Sequence, residues 1–324
     1  MIKLKGAHFL TVFLMCLVFW FIPVILFAQE IKPGIVITEK NYERYLPALK
    51  EVMDPGSYLV VVPYLRKGLI TMPIIETEEY PQSWPFHKYT MKYEGTCKVG
   101  PRNDLIGWKA GMPFPHAKTG AEVAWNLDRR QGVIDCAYFY SDFNLVNINL
   151  VRERKMKWDY WNLYYNGRVQ VPPIHEFPGN NGLIRMKESF IILEPFDLRG
   201  FSCVRIRYED IDKPDDFFAY IPAIRRVRRL TGSDVTDPML GSDTIYDDFE
   251  GFRQKITPKM TFELKERDLL CPRRVNIKDR PKLVKNGGIF QTEWEMRPVW
   301  ELIIHINGAC SIIQILTVKF DHST

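Results

Sequence analysis

Catalysis requires reactive side chains held together, and few residues of this chain have the types and spacing for it. Six histidines, His8, His87, His116, His175, His305 and His322, are scattered, and none has a Cys, Asp or Glu at metal-ligand spacing. His175 directly precedes Glu176, but neighbours on a strand point to opposite faces, so the two are not expected to act together. Two carboxylate pairs, Asp215-Asp216 and Asp247-Asp248, have the composition for acid–base work or for holding a cation. Such pairs more often serve as turn residues or counter-charges. The second pair has candidate partners in the run Ile224-Arg225-Arg226-Val227-Arg228-Arg229-Leu230. If the run continues a strand, Arg225 and Arg229 flank Val227 on one face while Arg226 and Arg228 take the other. Asp243, Asp247 and Asp248 follow in a short return. Four guanidiniums on one strand repel one another unless carboxylates are interleaved, so ion pairs are expected here. Two roles stay open for this network: a partly buried device that fixes the fold, or a patch for an anionic head group or a partner.

The usual enzyme signatures are missing. The sequence contains no G-x-S-x-G, no H-E-x-x-H, no phosphate-cradling glycine loop and no dinucleotide fingerprint. The expectation is a non-enzymatic protein without metal or cofactor. Basic and acidic residues nearly balance, 44 against 39, which gives no reason to expect a nucleic-acid partner. The densest unusual feature is aromatic: Trp158, Tyr160, Trp161, Tyr164 and Tyr165 fall within eight positions. Large rings can wall an apolar ligand cavity with tyrosine hydroxyls at its rim, or simply fill a core, and both readings stay open.

The elements that would position these residues read mostly as strands. From Ala137 onward the apolar period is two. Val146, Ile148 and Leu150 alternate with Asn147 and Asn149. Met156, Trp158 and Tyr160 share one face of the next run, and Trp161, Leu163 and Tyr165 the other. Asn166-Gly167, ahead of Val169 and Val171, is a strong hairpin signal. Ile191 to Glu194, then Val204, Ile206 and Tyr208, then Phe217 to Val227, and finally Met260, Phe262 and Leu264 extend the series. Strands joined by short turns imply antiparallel pairing, since parallel pairs need long crossovers. Helices are expected at Tyr42 to Met53, stopped by Pro55-Gly56, and at Thr119 to Arg130. Tyr58 to Pro63 reads as a further strand, and Pro73 to Pro85 as extended surface chain.

The N-terminus reads as a targeting signal. Lys3 and Lys5 precede an uncharged run from Phe9 to Phe27, and Ala28 then leads into Gln29-Glu30. The segment 1–29 is read as a secretory signal peptide, with an uncleaved anchor as the alternative because the run nearly suffices to span a bilayer. Cys16 follows Phe13-Leu14-Met15, which lacks the small residues that precede a lipidated cysteine. The remaining cysteines, Cys97, Cys136, Cys203, Cys271 and Cys310, are widely spaced; most are expected as small buried thiols, with one bridge, Cys97 to Cys136, as an option. The remaining organisation reads as a mixed extended and helical region at 30–135, an antiparallel sheet domain at 136–300 and an atypical tail at 301–324.

Two blocks of this sequence resemble a known family. Gly111-Met112-Pro113-Phe114-Pro115, Gly120-Ala121-Glu122 and Trp125-Asn126 form the first. Tyr220-Ile221-Pro222-Ala223-Ile224 and the arginines 225, 226, 228 and 229, followed by Gly241-Ser242-Asp243 and Asp247-Asp248, form the second. Both are similar to the signature of a bacterial envelope domain of unknown function, related to the outer-membrane lipoprotein-sorting (LolA-like) proteins, over about residues 36 to 300. The resemblance implies an α+β fold in which a curved antiparallel sheet, a half-barrel, is closed by a few helices around an apolar cavity. It also implies a periplasmic or outer-membrane-associated location, with RND-type inner-membrane exporters and outer-membrane β-barrel proteins as neighbours. No catalytic residue carries over from it. Trp294 to Trp300 still resembles the family, whereas Leu302 to Asn307 and the run to Thr324 depart from it. Either a frameshift or premature stop near Glu301 replaced the native strands or the chain has a shortened edge strand. The expected function is a non-enzymatic carrier of a lipid or other lipophilic molecule between membranes. An adaptor or sensor docking onto an exporter or barrel protein is the alternative.

Overall fold

The computed structural model describes residues 29–78, 83–130, 135–231, 238–245, 255–273 and 281–306, together with the backbone of strand 312–318. The apolar N-terminal segment, Cys16, Cys310, His8, His322, Asp247 and Asp248 lie outside the described residues. Among the described residues no helix is long and apolar enough to cross a membrane.

Nine long strands build two antiparallel sheets. The larger contains β1 (Cys136–Val146), β2 (Arg152–Tyr164), β3 (Ile184–Glu194), β4 (Ser202–Tyr208), β5 (Asp216–Ile221) and β6 (Arg226–Leu230). Each strand pairs with its predecessor, so the sheet is a plain meander with β1 and β6 as its edges. It is curved and does not close. The smaller sheet contains β7 (Met260–Pro272), β8 (Trp294–Ile306) and β9 (Ile312–Val318), with β8 in the middle. β8 runs unbroken through Glu301 and pairs with both neighbours there. The antiparallel, mixed α+β architecture expected from the strand period is therefore present.

Among the described residues four α-helices accompany the sheets: α1 (Leu46–Val52), α2 (Pro55–Arg66), α3 (Trp84–Lys92) and α4 (Gly120–Asp128). α4 starts at a capping box in which Thr119 accepts from the Glu122 N–H and Glu122 accepts from the Thr119 N–H. Its Val123, Ala124, Trp125 and Leu127 pack with Met260, Leu302 and Ile304 of the smaller sheet. Gly120 is required there, because a Cβ would sit 2.7 Å from the Cβ of Phe262. α1 and α2 form a second core with the short strand pair Val36–Ile37 and Met72–Pro73, and with Leu270 and Trp294. α4 thus rests on one sheet while its C-terminal residues reach the other.

Several expectations are corrected. Tyr58 to Pro63 is helical, not a strand. Pro55 sits in the first turn of α2, Asp54 accepts from the Ser57 N–H at 2.8 Å, and Val61, Val62, Tyr64 and Leu65 are buried at helical spacing. The cap and the buried face outweigh the strand preference of three valines. Trp84–Lys92 is a helix, and Ile74 is buried and bridges Trp294, so 73–85 is not plain surface chain. β1 ends at Val146, because the Asn147 side chain accepts from the N–H groups of Asn149 and Val151 and turns the chain before Leu150. Phe217 to Val227 is not one strand. Pro222 starts a 3-10 turn, Pro222–Ile224, and Arg225 adopts φ 53° between β5 and β6.

Asn166-Gly167 is not a hairpin turn either. Asn166–Arg168 pairs with His175–Glu176, and the chain reverses between them. The Asp135 carboxylate accepts from the N–H groups of Val169, Gln170 and Val171 at 2.6–2.8 Å. Arg168, fully buried, donates to the carbonyls of Tyr164, Val171 and Pro173. Gly167 is needed for a different reason: it has φ 72°, and a Cβ would meet the Trp108 ring at 2.2 Å.

Candidate functional site

Cross-strand partners in an antiparallel sheet share a face, so the register sorts the side chains of the six-stranded sheet. One row reads Tyr138, Trp161, Ser189, Val204 and Phe218, and a second Tyr140, Asp159, Ile191, Ser202 and Tyr220. These rows form the open face, where Tyr138 is 57% exposed, Tyr140 55%, Val204 46% and Trp161 40%. The opposite face carries Phe139, Tyr160, Phe190, Cys203 and Ala219 in one row and Asn162, Glu188, Arg205 and Phe217 in the next, and is covered except at the edge strand, where Phe139 is 42% exposed.

At β4 the polarity is the reverse of a one-sided sheet, whose apolar residues point inward. Val204 and Ile206 are on the open face, while Arg205 and Arg207 are buried on the covered one. Over Tyr138, Trp161, Leu163 and Val204 the open face forms a hollow of about 580 Å³, open to solvent, with Lys187 and Ser189 also in its lining.

The buried arginines belong to an ion cluster under the C-terminal end of α4. Arg185 donates to both Asp128 oxygens at 2.7 and 2.8 Å, and Arg129 grips Glu209 through two nitrogens at 3.1 and 2.7 Å. Arg207 lies 3.7 Å from Asp128. Arg205 binds Asp215 at 2.6 Å, Lys255 reaches the same carboxylate at 3.1 Å, and Tyr160 donates to Glu188 at 2.6 Å. Burial alone would raise the Asp128 carboxyl, but Arg185, Arg129 and Arg207 hold it well below the usual carboxylate range. Burial opposes the ionised forms of Glu209 and Asp215 too, and their arginines again win, leaving both lowered. Burial together with Arg185 pulls Arg207 down to about 10, against the pull of Asp128, so it stays charged at neutral pH. The hollows among these groups have room for about one water, so the cluster is an anchor between α4 and the sheet.

The structure separates the five aromatic candidates. Trp158 and Tyr160 lie on the covered face, Trp158 stacked on Phe143 at 5.3 Å and Tyr160 on Phe139 at 6.0 Å. Trp161 alone lies in the open hollow, against Tyr138 at 5.5 Å. Tyr164 ends β2 beside Arg129 and Arg185, and Tyr165 packs on Phe177 with the Lys187 ammonium 4.9 Å from its ring. These five rings do not line one cavity, because alternation along β2 sends them to opposite faces.

The arginine network is also corrected. Arg225 is in the turn and not on the strand, so it does not flank Val227 beside Arg229. Arg229 pairs with Asp216 at 2.6 Å, a partner on the neighbouring strand. Arg226, Arg228 and Asp243 make no ion pair among the described residues, and Asp247 and Asp248 lie outside them. Asp215 and Asp216 point to different faces, each with its own cation. His175 and Glu176 diverge as alternation requires: the His175 Nε2 is 3.1 Å from the Tyr93 hydroxyl, while Glu176 accepts from Asn180. Burial, then Lys92 and Lys109, lower the His175 pKa. Among the described residues no three His, Cys, Asp or Glu side chains come together as a metal-ligand set. Cys97, Cys136, Cys203 and Cys271 are free thiols, so the Cys97–Cys136 bridge does not form; Cys97 precedes the small Lys98–Val99 strand while Cys136 opens β1.

The ion cluster was missed by sequence reasoning, although the Arg205-Ile206-Arg207 alternation beside apolar Val204 carries its signal. Residues 36–305 match the family model described as Protein of unknown function (DUF1329). Among solved structures, a DUF1329 family protein from Desulfovibrio piger ATCC 29098 is similar at 14% identity and a TM-score of 0.36, over 58% of this chain and 60% of that one. A domain named for outer membrane lipoprotein sorting, from Vibrio parahaemolyticus, is similar at 17% identity and a TM-score of 0.38, over 62% of this chain and 66% of that one. The matched part spans less than two thirds of either structure. No curated protein matches the chain significantly.

Proposed function

The chain belongs to the DUF1329 family, and from that premise and its open aromatic face we propose that it binds a lipophilic molecule in the cell envelope and carries it between membranes. The observation that carries this reading is the inverted polarity of β4: Val204 is exposed beside Trp161 and Tyr138 and Ile206 is half-buried on the same face, while Arg205 and Arg207 are buried and matched to carboxylates. An open face that carries Tyr138, Trp161 and Val204 leaves apolar surface to be covered. Burying a methylene is worth about 0.8 kcal/mol, so an acyl chain of ten gains roughly 8 kcal/mol before ordering costs. The hollow is open to solvent, and holding an apolar molecule there needs no catalytic group. Capture, shielding from water and hand-off would follow from an open site, since an enclosed one would release cargo slowly.

Titration with the apolar fluorophore N-phenyl-1-naphthylamine tests the reading. Saturable binding is expected, weakened about tenfold by Trp161→Ser, a loss of about 1.4 kcal/mol, with the melting temperature little changed. Absence of saturable binding, or equal binding by the variant, would contradict it.

A further inference from the structure

The hollow has a missing wall. Cys136 and Tyr138 of β1 form its outermost lining, and β1 is an edge of the sheet. Among the described residues nothing pairs with the outer side of β1. The two edges of the sheet differ sharply. β6 is five residues long and carries Arg226, Arg228 and Arg229, charges of the kind that keep an edge from pairing. β1 is eleven residues long, without proline or glycine, and its one charge, Asp142, is paired to Lys155 at 3.0 Å. Its ladder with β2 is regular from Cys136 to Leu145. Gly287 and the loop around it lie against Asn144, which leaves Cys136 to Phe143 as the free stretch. Alternate N–H and C=O groups along that stretch await an extended partner.

We propose that this partner is a second copy of the same chain, joined antiparallel through β1 so that two sheets become one and each copy supplies the other's missing wall. The sequence of β1 suits self-pairing. A two-fold axis through Phe139 sets Tyr138 of one copy opposite Tyr140 of the other on the open face, and Ala137 opposite Ser141 on the covered face. Cys136 then faces Asp142, and no like charges meet. β6 cannot pair with itself in this way, because its arginines would oppose one another. Tyrosines of both copies then line a hollow shared across the axis, which widens the apolar surface without adding a residue. The strand pairing stands by itself; only the shared wall rests on the ligand reading.

Sedimentation equilibrium of the purified chain tests the pairing, together with hydrogen–deuterium exchange, at high and low protein concentration, of the 136–143 amides that point away from β2. The expected result is twice the chain mass, with protection of those amides that is lost on dilution. Phe139→Lys places two ammonium groups opposite each other on the axis and is expected to give a monomer with a native circular-dichroism spectrum. Should that variant not fold, the dilution-dependent exchange of the unaltered chain still decides. A chain that stays monomeric, or a dimer in which the 136–143 amides pointing away from β2 exchange freely, would overturn the pairing. A monomeric variant that binds the fluorophore as well as the dimer does would overturn the shared wall while leaving the ligand reading intact.

Discussion

Asp128→Asn is the sharpest test of the anchor between α4 and the six-stranded sheet. The substitution keeps the shape of the side chain and removes its charge. The Asp128 side chain is 6% exposed and faces three guanidiniums: Arg185 at 2.7 Å, Arg129 at 3.4 Å and Arg207 at 3.7 Å. Breaking a buried pair by removing one partner costs about 3–5 kcal/mol, because the remaining charge stays desolvated. Against a total stability of about 5–15 kcal/mol this is a large fraction. With a urea dependence of about 2–3 kcal/mol per molar, the unfolding midpoint should fall by roughly 1–2 M. The pH dependence has a definite sign. The folded-state pKa of Asp128 lies below that of an unfolded aspartate, near about 3.9. The stabilisation is therefore complete above that value and is lost as the pH falls through the folded-state pKa. The gap between the unaltered chain and Asp128→Asn should accordingly be constant near neutrality and narrow in acid. Urea titrations followed by tryptophan fluorescence at several pH values measure both effects. A midpoint change below about 0.3 M, or a gap that stays constant into acid, would refute the account of the cluster.

Three further outcomes are expected. Gly167→Ala forces a Cβ onto the Trp108 ring at φ 72° and should cost about 2–4 kcal/mol in urea unfolding; a neutral result would mean that Trp108 does not pack there. Asp135→Ala orphans three backbone N–H groups and should cost at least about 2 kcal/mol, with faster amide exchange at 169–171, and unchanged exchange would contradict the assigned turn. Cys136 is exposed, whereas burial pushes the Cys203 thiol up to about 12, so Ellman's reagent should modify Cys136 at once and Cys203 only on unfolding; equal rates would contradict the face assignment.

Local signals in the sequence were reliable where local physics decides the outcome. The helix starting at Thr119 was legible, as was the period-two run through β2 to β5. Even the split of Trp158 and Tyr160 from Trp161 follows from alternation. What alternation cannot say is which face will be covered, and that depends on α4 and on residues far along the chain. The ion cluster shows the limit clearly: Arg185 and Asp128 are 57 positions apart, and Arg129 and Glu209 are 80 apart. No local pattern links them, whereas the four arginines at 225–229 were conspicuous because they are adjacent. Their adjacency hid Pro222, which ends β5 and puts Arg225 in a turn. Similarly, Asn166-Gly167 has the composition of a hairpin turn, but Asp135 holds the three amides that follow and moves the reversal downstream.

Native mass spectrometry of the protein released gently from its own cell envelope measures the central claim most directly. Adducts with masses of lipid or another lipophile, displaced by the fluorophore and depleted by Trp161→Ser, are the predicted result. A chain that leaves the envelope free of any apolar adduct, or that retains its adduct unchanged when Trp161 is replaced, would contradict the reading of the open face as a cargo site.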